Sequence, residues 1–310
     1  MDRLAAMQSF RRVVELGSFA AAARDLGLSS PGVSKHVSEL EAHLKTSLLL
    51  RTTRRLSLTE TGRIVFEHCR RVLDDMIDVE QAVCASASRP RGLLRVNAPM
   101  SFGLIHLSPI LPELFQLHPE LTIDLTLNDR DADPVEEGFD IALRIRTELP
   151  DSALIARRIA PVTRMLCAAP SYLAAAGTPR TPDDLGAHRC LVYSLSSSPQ
   201  SWPLIAPGAA GPIAVPIQPW FSANNSLALR DAARAGLGIC LAPGFLVSDD
   251  IRAGRLVRVT ADHGTPPHQL FAVYPPRRNV SVKTRVFVDF LIARFGVRPP
   301  WAGQVAAEPA

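Results

Sequence analysis

Residues 18–44 read SFAAAARDLGLSSPGVSKHVSELEAHL, and the fold of the chain turns on how this stretch is punctuated. Ser18 follows Gly17 and is placed to cap a helix through Ala20–Leu26, which Gly27 ends. Ser30 and Pro31 then supply a cap and a proline at the first helical position of a further helix. Upstream, Leu4, Met7, Phe10, Val13 and Val14 recur at helical spacing over residues 2–16. Three short helices joined by turns of a few residues make a helix-turn-helix layout.

The third helix has two unlike faces. Val33, Val37, Leu40 and Leu44 fall within about 60° of one another on a helical wheel and form the core stripe. Pro31, Lys35, Ser38 and Ala42 lie opposite, about 140–200° away, with Ser34 on the flank. Such a face is small, polar and basic, which suits entry into a major groove: small residues permit close approach, and Lys35 can donate to guanine or phosphate. Ser30 and the helix N-terminus can hold a phosphate. A solvated face has the same look, so the next segment matters. RTTRRLSL (residues 51–58) reads as a short β-ribbon carrying Arg51, Arg54 and Arg55, three guanidinium groups suited to phosphates or a narrow minor groove.

From Thr59 a single long helix is expected. On it Val65, Cys69, Val72, Met76, Val79 and Val83 recur at spacings of 4, 3, 4, 3 and 4, a coiled-coil seam for dimerisation. The alternative is an amphipathic helix lying on its own domain. Ser86–Pro90 reads as a hinge. Beyond it strands and helices alternate: strands at Leu94–Ala98, Leu121–Leu127, Asp140–Ile145, Met165–Ala169, Cys190–Tyr193, Trp220–Ser222, Gly238–Ala242 and Gln269–Tyr274, and helices at Leu104–Leu117, Ser226–Ala235 and Val282–Phe295. That grammar predicts an α/β body with largely parallel sheets. About 205 residues are comfortable for two lobes. The boundaries read as 1–62 for the DNA-binding head, 63–90 for the dimerising helix and hinge, 91–298 for the body, and 299–310 for a frayed tail.

Charge follows the same division. Residues 1–71 hold 12 Lys and Arg against 7 Asp and Glu, residues 72–88 hold four acids and no base, and the rest is nearly balanced. A basic head on a neutral body points to a polyanion partner. No apolar run is long enough to span a membrane, and the N-terminus lacks a signal-peptide core, so a soluble cytoplasmic protein is expected. Five widely spaced cysteines without a C-x-x-C pair argue against a disulfide framework or zinc site, and no cofactor or metal is expected. A redox-sensing variant would need two of them to meet.

Several motifs in order carry a resemblance. The head stretch above, with LLLRTTRRLSLTETG, and then APMSFGLIHLSPILPELF, DRDADPVEEGFDIALRI, AAPSYLAAAGTPRTPDDLGAHRCLVYS and NNSLALRDAARAGLGICLAP, resemble LysR-type transcriptional regulators over nearly the whole chain to about Phe295. The resemblance implies a winged helix-turn-helix, a dimerising linker helix and a two-lobed α/β effector domain like a periplasmic binding protein, assembled as dimers or tetramers on promoter operators, with RNA polymerase as a further partner. It maps base reading onto Ser30, Pro31, Ser34 and Lys35, and backbone or minor-groove contact onto Arg51 and Arg54 or Arg55. Lys45 stands where many members have a helix-ending glycine, so the turn there is expected to close without positive φ. Lys35 replaces a common arginine, losing a bidentate fork. Arg146 replaces a frequent glycine at the cleft mouth.

In two-lobed folds the ligand lies between the lobes, against strand ends and helix N-termini. Three segments meet that description: Met100, Ser101 and Phe102 after the first strand, Arg144, Arg146 and Thr147 ending another, and Asn224 and Asn225 opening a helix in the other lobe, with Asn224 also a candidate cap. Two arginines suit a small organic anion. The local alternatives are a cap for Ser101, a surface charge for Arg146 and a cap alone for Asn224. His106 and His118 read as helix caps or surface residues. No H-E-x-x-H, Walker A or G-x-S-x-G motif is present, which leaves an enzyme fused to the head as a poor alternative. An architectural DNA protein without effector would leave the large body unexplained.

Overall fold

The computed structural model describes residues 2–51, 56–83, 89–130, 137–149, 153–260, 262–276, 280–296 and 299–301. The chain divides into two compact units, Met1–Ser88 and Arg89–Ala310. In the first, α1 (Arg3–Leu16), α2 (Phe19–Leu26) and α3 (Ser30–Leu44) pack around Ala6, Phe10, Val13, Ala22, Val33, Val37 and Leu40. The expected caps on α2 are present: Ser18 Oγ accepts from Ala21 N, and Gly27 closes the helix at φ +65°.

Three local expectations are corrected. Ser29, not Ser30, caps α3, because its Oγ accepts from Gly32 N, so Ser30 and Pro31 both lie inside the first turn. Lys45 does adopt a left-handed conformation, φ +55°, and its N–H and that of Thr46 reach back to Ala42 O and Glu41 O. The two recovered hydrogen bonds offset the steric cost of a Cβ in that region. Leu44, assigned to the core stripe, is exposed at the last position of the helix.

The ribbon forms as β1 (Leu49–Arg51) and β2 (Leu56–Leu58), antiparallel, with Leu50 opposite Ser57. Its tip, with Arg54 and Arg55, lies outside the described residues. The long helix α4 (Glu60–Val83) starts where Thr59 Oγ1 accepts from Gly62 N. Its predicted seam is unevenly buried. Cys69 is buried in the core of the head with Val65 and Phe66 packed beside it, and Leu73 is buried too. Val72 and Met76 are 44% and 40% exposed, and Met76 lines a groove with Leu73 and with Leu4, Gln8 and Arg11 of α1. The 4-3 spacing therefore marks one face that the chain's own head covers at Cys69 and leaves partly bare at Val72 and Met76. The side chains of Val79 and Val83 lie outside the described residues.

The second unit holds two five-stranded sheets. The first lobe uses β3 (Gly92–Ala98), β4 (Leu121–Leu127), β5 (Ile141–Arg146), β6 (Ile155–Val162) and the late strand β14 (His268–Tyr274), in the order β4-β3-β5-β14-β6. The second lobe uses β7 (Arg164–Ala168), β8 (Cys190–Tyr193), β11 (Pro219–Ala223), β12 (Ile239–Pro243) and β13 (Val257–Arg258), in the order β11-β8-β12-β7-β13. A hairpin, β9 (Ser201–Leu204) with β10 (Ile213–Pro216), stands apart. The sheets are mixed rather than largely parallel. Only β4-β3-β5 and β11-β8-β12 run parallel, and β6, β14, β7 and β13 run against their neighbours. This follows from connectivity: β6 leaves the first lobe and β14 re-enters it, so both pair antiparallel.

The helix expected over Leu104–Leu117 is broken into α5 (Met100–Phe102), a π turn, a 3-10 turn and α6 (Leu111–Leu117). Pro109 and Pro112 remove backbone donors in mid-run, which favours such irregular turns. Further helices are α7 (Pro170–Ala176), α8 (Ser226–Arg234), α9 (Gly244–Arg252) and α10 (Val282–Phe295). The tail is not frayed at its start. Trp301 is buried, donates from Nε1 to Pro161 O at 3.0 Å, and packs edge-on to Phe102. An aromatic indole with a satisfied N–H holds the chain end down. Residues 302–310 lie outside the described set.

Candidate functional site

The head presents α3 as the sequence requires. Val33, Val37 and Leu40 are buried, while Ser30, Pro31, Lys35, Ser38 and Ala42 are exposed and Ser34 is half-buried on the flank. The Lys35 side chain is 74% exposed, and its Nζ stands 3.9 Å from Glu39 Oε1. A solvated pair at that distance contributes little, so the ammonium is available to an incoming anion. What fixes the helix is polar and was not read from the sequence. His36 Nδ1 meets Ser9 Oγ at 2.8 Å, tying α3 to α1. Glu41 Oε1 accepts from Leu48 N and Leu49 N, tying α3 to the ribbon.

Gly62 lets α4 approach the same strand. A Cβ there would lie 2.0 Å from Leu48 O. Thr59 Oγ1 also donates to Ser47 O at 2.8 Å. On the other side Arg11 Nη1 pairs with Asp74 Oδ1 at 2.8 Å, joining α1 to α4. Contacts thus join α3, the described part of the ribbon and the first half of α4 to one another and to α1. Arg51 lies on β1 opposite Leu56, and its side chain is outside the described set.

In the body, the segments singled out from the sequence come together only in part. Phe102 is fully buried in an aromatic cluster with His106, Phe245, Phe295 and Trp301, so it serves the core. His106 is part of that cluster rather than a surface residue. Its Nε2 donates to Phe245 O, and burial holds its pKa below the usual histidine value. Arg144 is buried, and its Nη1 donates to Asn97 Oδ1 and Leu143 O within the first lobe. Ser101 is buried, Met100 borderline exposed and Thr147 exposed.

Asn225, not the exposed Asn224, caps α8: its Oδ1 accepts from Leu227 N at 2.9 Å. Its Nδ2 then donates across the lobes to Asp129 Oδ2 at 3.1 Å, while Asp129 Oδ1 accepts from Met100 N at 2.9 Å. Asp129 therefore joins two of the predicted segments. Burial raises its pKa against those two hydrogen bonds.

A second group gathers where the chain crosses between lobes. His268 opens β14, next in line to Gln269, which lies opposite Arg146. Burial first, then Arg164 and Arg146, depress the His268 pKa, and its Nδ1 donates to Pro266 O. Burial brings Arg164 down to about 10, partly offset by Tyr193. Arg164 and Arg146 both act on His268 and favour its neutral form, so the positive field here, which favours an anion, comes from the guanidiniums. Arg164 and His268 escaped sequence reasoning because β6, β7 and β14 meet only in three dimensions. Among the described residues no three metal-ligating side chains come together.

Comparison with known proteins agrees with both halves. Residues 4–63 match the family described as bacterial regulatory helix-turn-helix protein, lysR family, and residues 87–296 match the LysR substrate binding domain. The chain is 35% identical over 288 residues to the HTH-type transcriptional regulator CrgA of Neisseria meningitidis serogroup C, covering 93% of this chain and 95% of the relative. It is 34% identical over 295 residues to the HTH-type transcriptional activator AaeR of Escherichia coli K12, covering 95% and 94%. The solved structure of CrgA from Neisseria meningitidis superposes with a TM-score of 0.60 at 34% identity, covering 93% of this chain and 97% of that one.

Proposed function

The chain belongs to the LysR family of bacterial helix-turn-helix transcriptional regulators, and from that premise we propose which of its residues carry the two tasks. It is a DNA-binding regulator whose body is the effector-binding domain. Residues 1–62 bind DNA, residues 63–90 form the dimerising helix and hinge, and residues 91–298 sense the effector. Ser30, Pro31, Ser34, Lys35 and Ser38 face the major groove, and Arg51, Arg54 and Arg55 hold the phosphates or the minor groove. The observation that carries this reading is the division of α3 into a buried apolar stripe and an exposed small, basic face.

The effector is a small anion held between the lobes. Arg146 and Arg164 supply the positive field beside a neutral His268, Ser101 and Met100 line the first lobe, and Asn225 presents the N-terminus of α8 from the second. Arg144 braces Asn97 behind them rather than reaching the ligand. An effector with unequal affinity for two arrangements of the lobes shifts their balance and so the geometry of the paired heads. Val72 and Met76 are the dimer face of the rod. The protein works in the cytoplasm, where DNA and RNA polymerase are its partners, and the body senses rather than catalyses, in keeping with relatives named as transcriptional regulators.

Selection of duplexes from a random library by the purified protein tests the reading. A motif of two half-sites related by a dyad is expected, with Lys35→Ala relaxing one position in each half-site. Recovery of no motif, with equally steep salt dependence on all duplexes, would leave an architectural binder.

A further inference from the structure

We propose that Cys167 and Cys240 form a redox-modifiable dithiol, which a peroxide converts to a cross-strand disulfide inside the second lobe. The two residues lie directly opposite each other in the antiparallel pair of β7 and β12, and their Sγ atoms are 3.5 Å apart. Directly opposed antiparallel residues have Cα atoms about 4.5–5.5 Å apart. That lies within the range of about 4.4–6.8 Å that disulfides span. An S–S bond of about 2.05 Å needs the sulfurs to close by roughly 1.5 Å, a side-chain rotation rather than a backbone movement.

No other described cysteine competes for either thiol. Cys69 is buried in the head, and Cys190 sits in a separate core cluster with its Sγ directed at Leu185 O and His188 O. Both paired cysteines are fully buried and free.

The chemistry takes two steps. One thiolate attacks a peroxide oxygen, giving a sulfenic acid and releasing water or an alcohol. The neighbouring thiol then displaces the sulfenic hydroxyl as water and forms the S–S bond, so two electrons and two protons pass to the peroxide. The hydrogen-bonded Cys240 sulfur, with burial, holds the Cys167 pKa well above the usual thiol value. The pair therefore rests as protonated thiols, and the small thiolate fraction slows the first step. Once formed, the sulfenic acid has a resolving thiol in contact, which directs it to the disulfide.

The bond acts on strands that lead to the other lobe. β7 follows the crossover strand β6, and β12 runs straight into α9, whose Phe245 inserts among Phe102, His106, Phe295 and Trp301. Oxidation ties these two strands together one residue from the end of each and locks the lobe.

The test treats the full-length protein with hydrogen peroxide, alkylates remaining thiols in denaturant and maps peptides by mass spectrometry. Alkylatable thiols are expected to fall from five to three. The Cys167 and Cys240 peptides should appear joined and separate on reduction, and the oxidised protein should melt several degrees higher than the reduced one. Cys240→Ala, checked for native circular dichroism, should lose the linkage and the shift. Five alkylatable thiols after a treatment that oxidises the urea-opened chain would overturn the proposal. So would linkage of either residue to Cys69, Cys84 or Cys190, or accumulation of sulfinic acid. A linked pair with an unchanged melting temperature would overturn the lock.

Discussion

Lys35 and Gly62 show how differently two residues of one head can matter. The Lys35 ammonium is exposed and loosely paired with Glu39, so Lys35→Ala should leave the fold intact. It should cost about 1–3 kcal/mol of operator binding and relax one base position. Uniform weakening on every sequence, measured by titration against point-substituted operators, would make it a phosphate contact instead. Gly62→Ala acts on folding, because the new Cβ meets the backbone of Leu48, which cannot step aside. The expected loss is about 1–3 kcal/mol of stability, typical of overpacking. Chemical denaturation followed by circular dichroism measures it, and an unchanged midpoint would mean that α4 and β1 are not held in this contact.

Among elements, α4 is the proposed dimerising rod. Its heptad pattern was legible, yet the pattern alone could not say that Cys69 and Leu73 pack inward on the head while Val72 and Met76 stay bare. Periodicity reports which residues want burial, not whose surface buries them. Val72→Asp with Met76→Asp should therefore yield monomers in sedimentation and weaken DNA binding steeply, with the head still folded. A doubly substituted protein that sediments as a dimer would remove the rod's assigned role. Caps were legible to within one residue. Ser29 replaced Ser30, and Asn225 replaced Asn224, because adjacent serines or asparagines offer the same side chain and only the backbone chooses between them. The α3 stripe was legible for the opposite reason: it needs only local spacing.

At the scale of the whole molecule, what escaped the sequence is what depends on distant strands meeting. The return of β14 beside β5 and β6, the docking of Trp301 on Pro161, and the meeting of Cys167 with Cys240 involve partners far apart in the chain. No local pattern announces them. The same burial gives the body a pH dependence. His106 and His268 have pKa values depressed by burial, so the unfolded chain binds more protons than the folded one as pH falls below about 6.5. Stability held above that pH is then lost on acidification toward the folded values. Asp129, raised by burial, acts in the opposite sense and at lower pH. The melting temperature should drop between pH 7.5 and 5.5, and drop less in a His106→Phe, His268→Gln variant. Equal drops in both proteins would show that these two imidazoles do not govern the response.

The central claim is that this head reads a specific operator, and footprinting on the chain's own upstream DNA, against a scrambled duplex over a range of salt, tests it most directly. A protected dyad-symmetric site that outlasts the scrambled duplex as salt rises is the predicted result. Equal affinity for both duplexes at every salt concentration, or no binding at low salt, would contradict it.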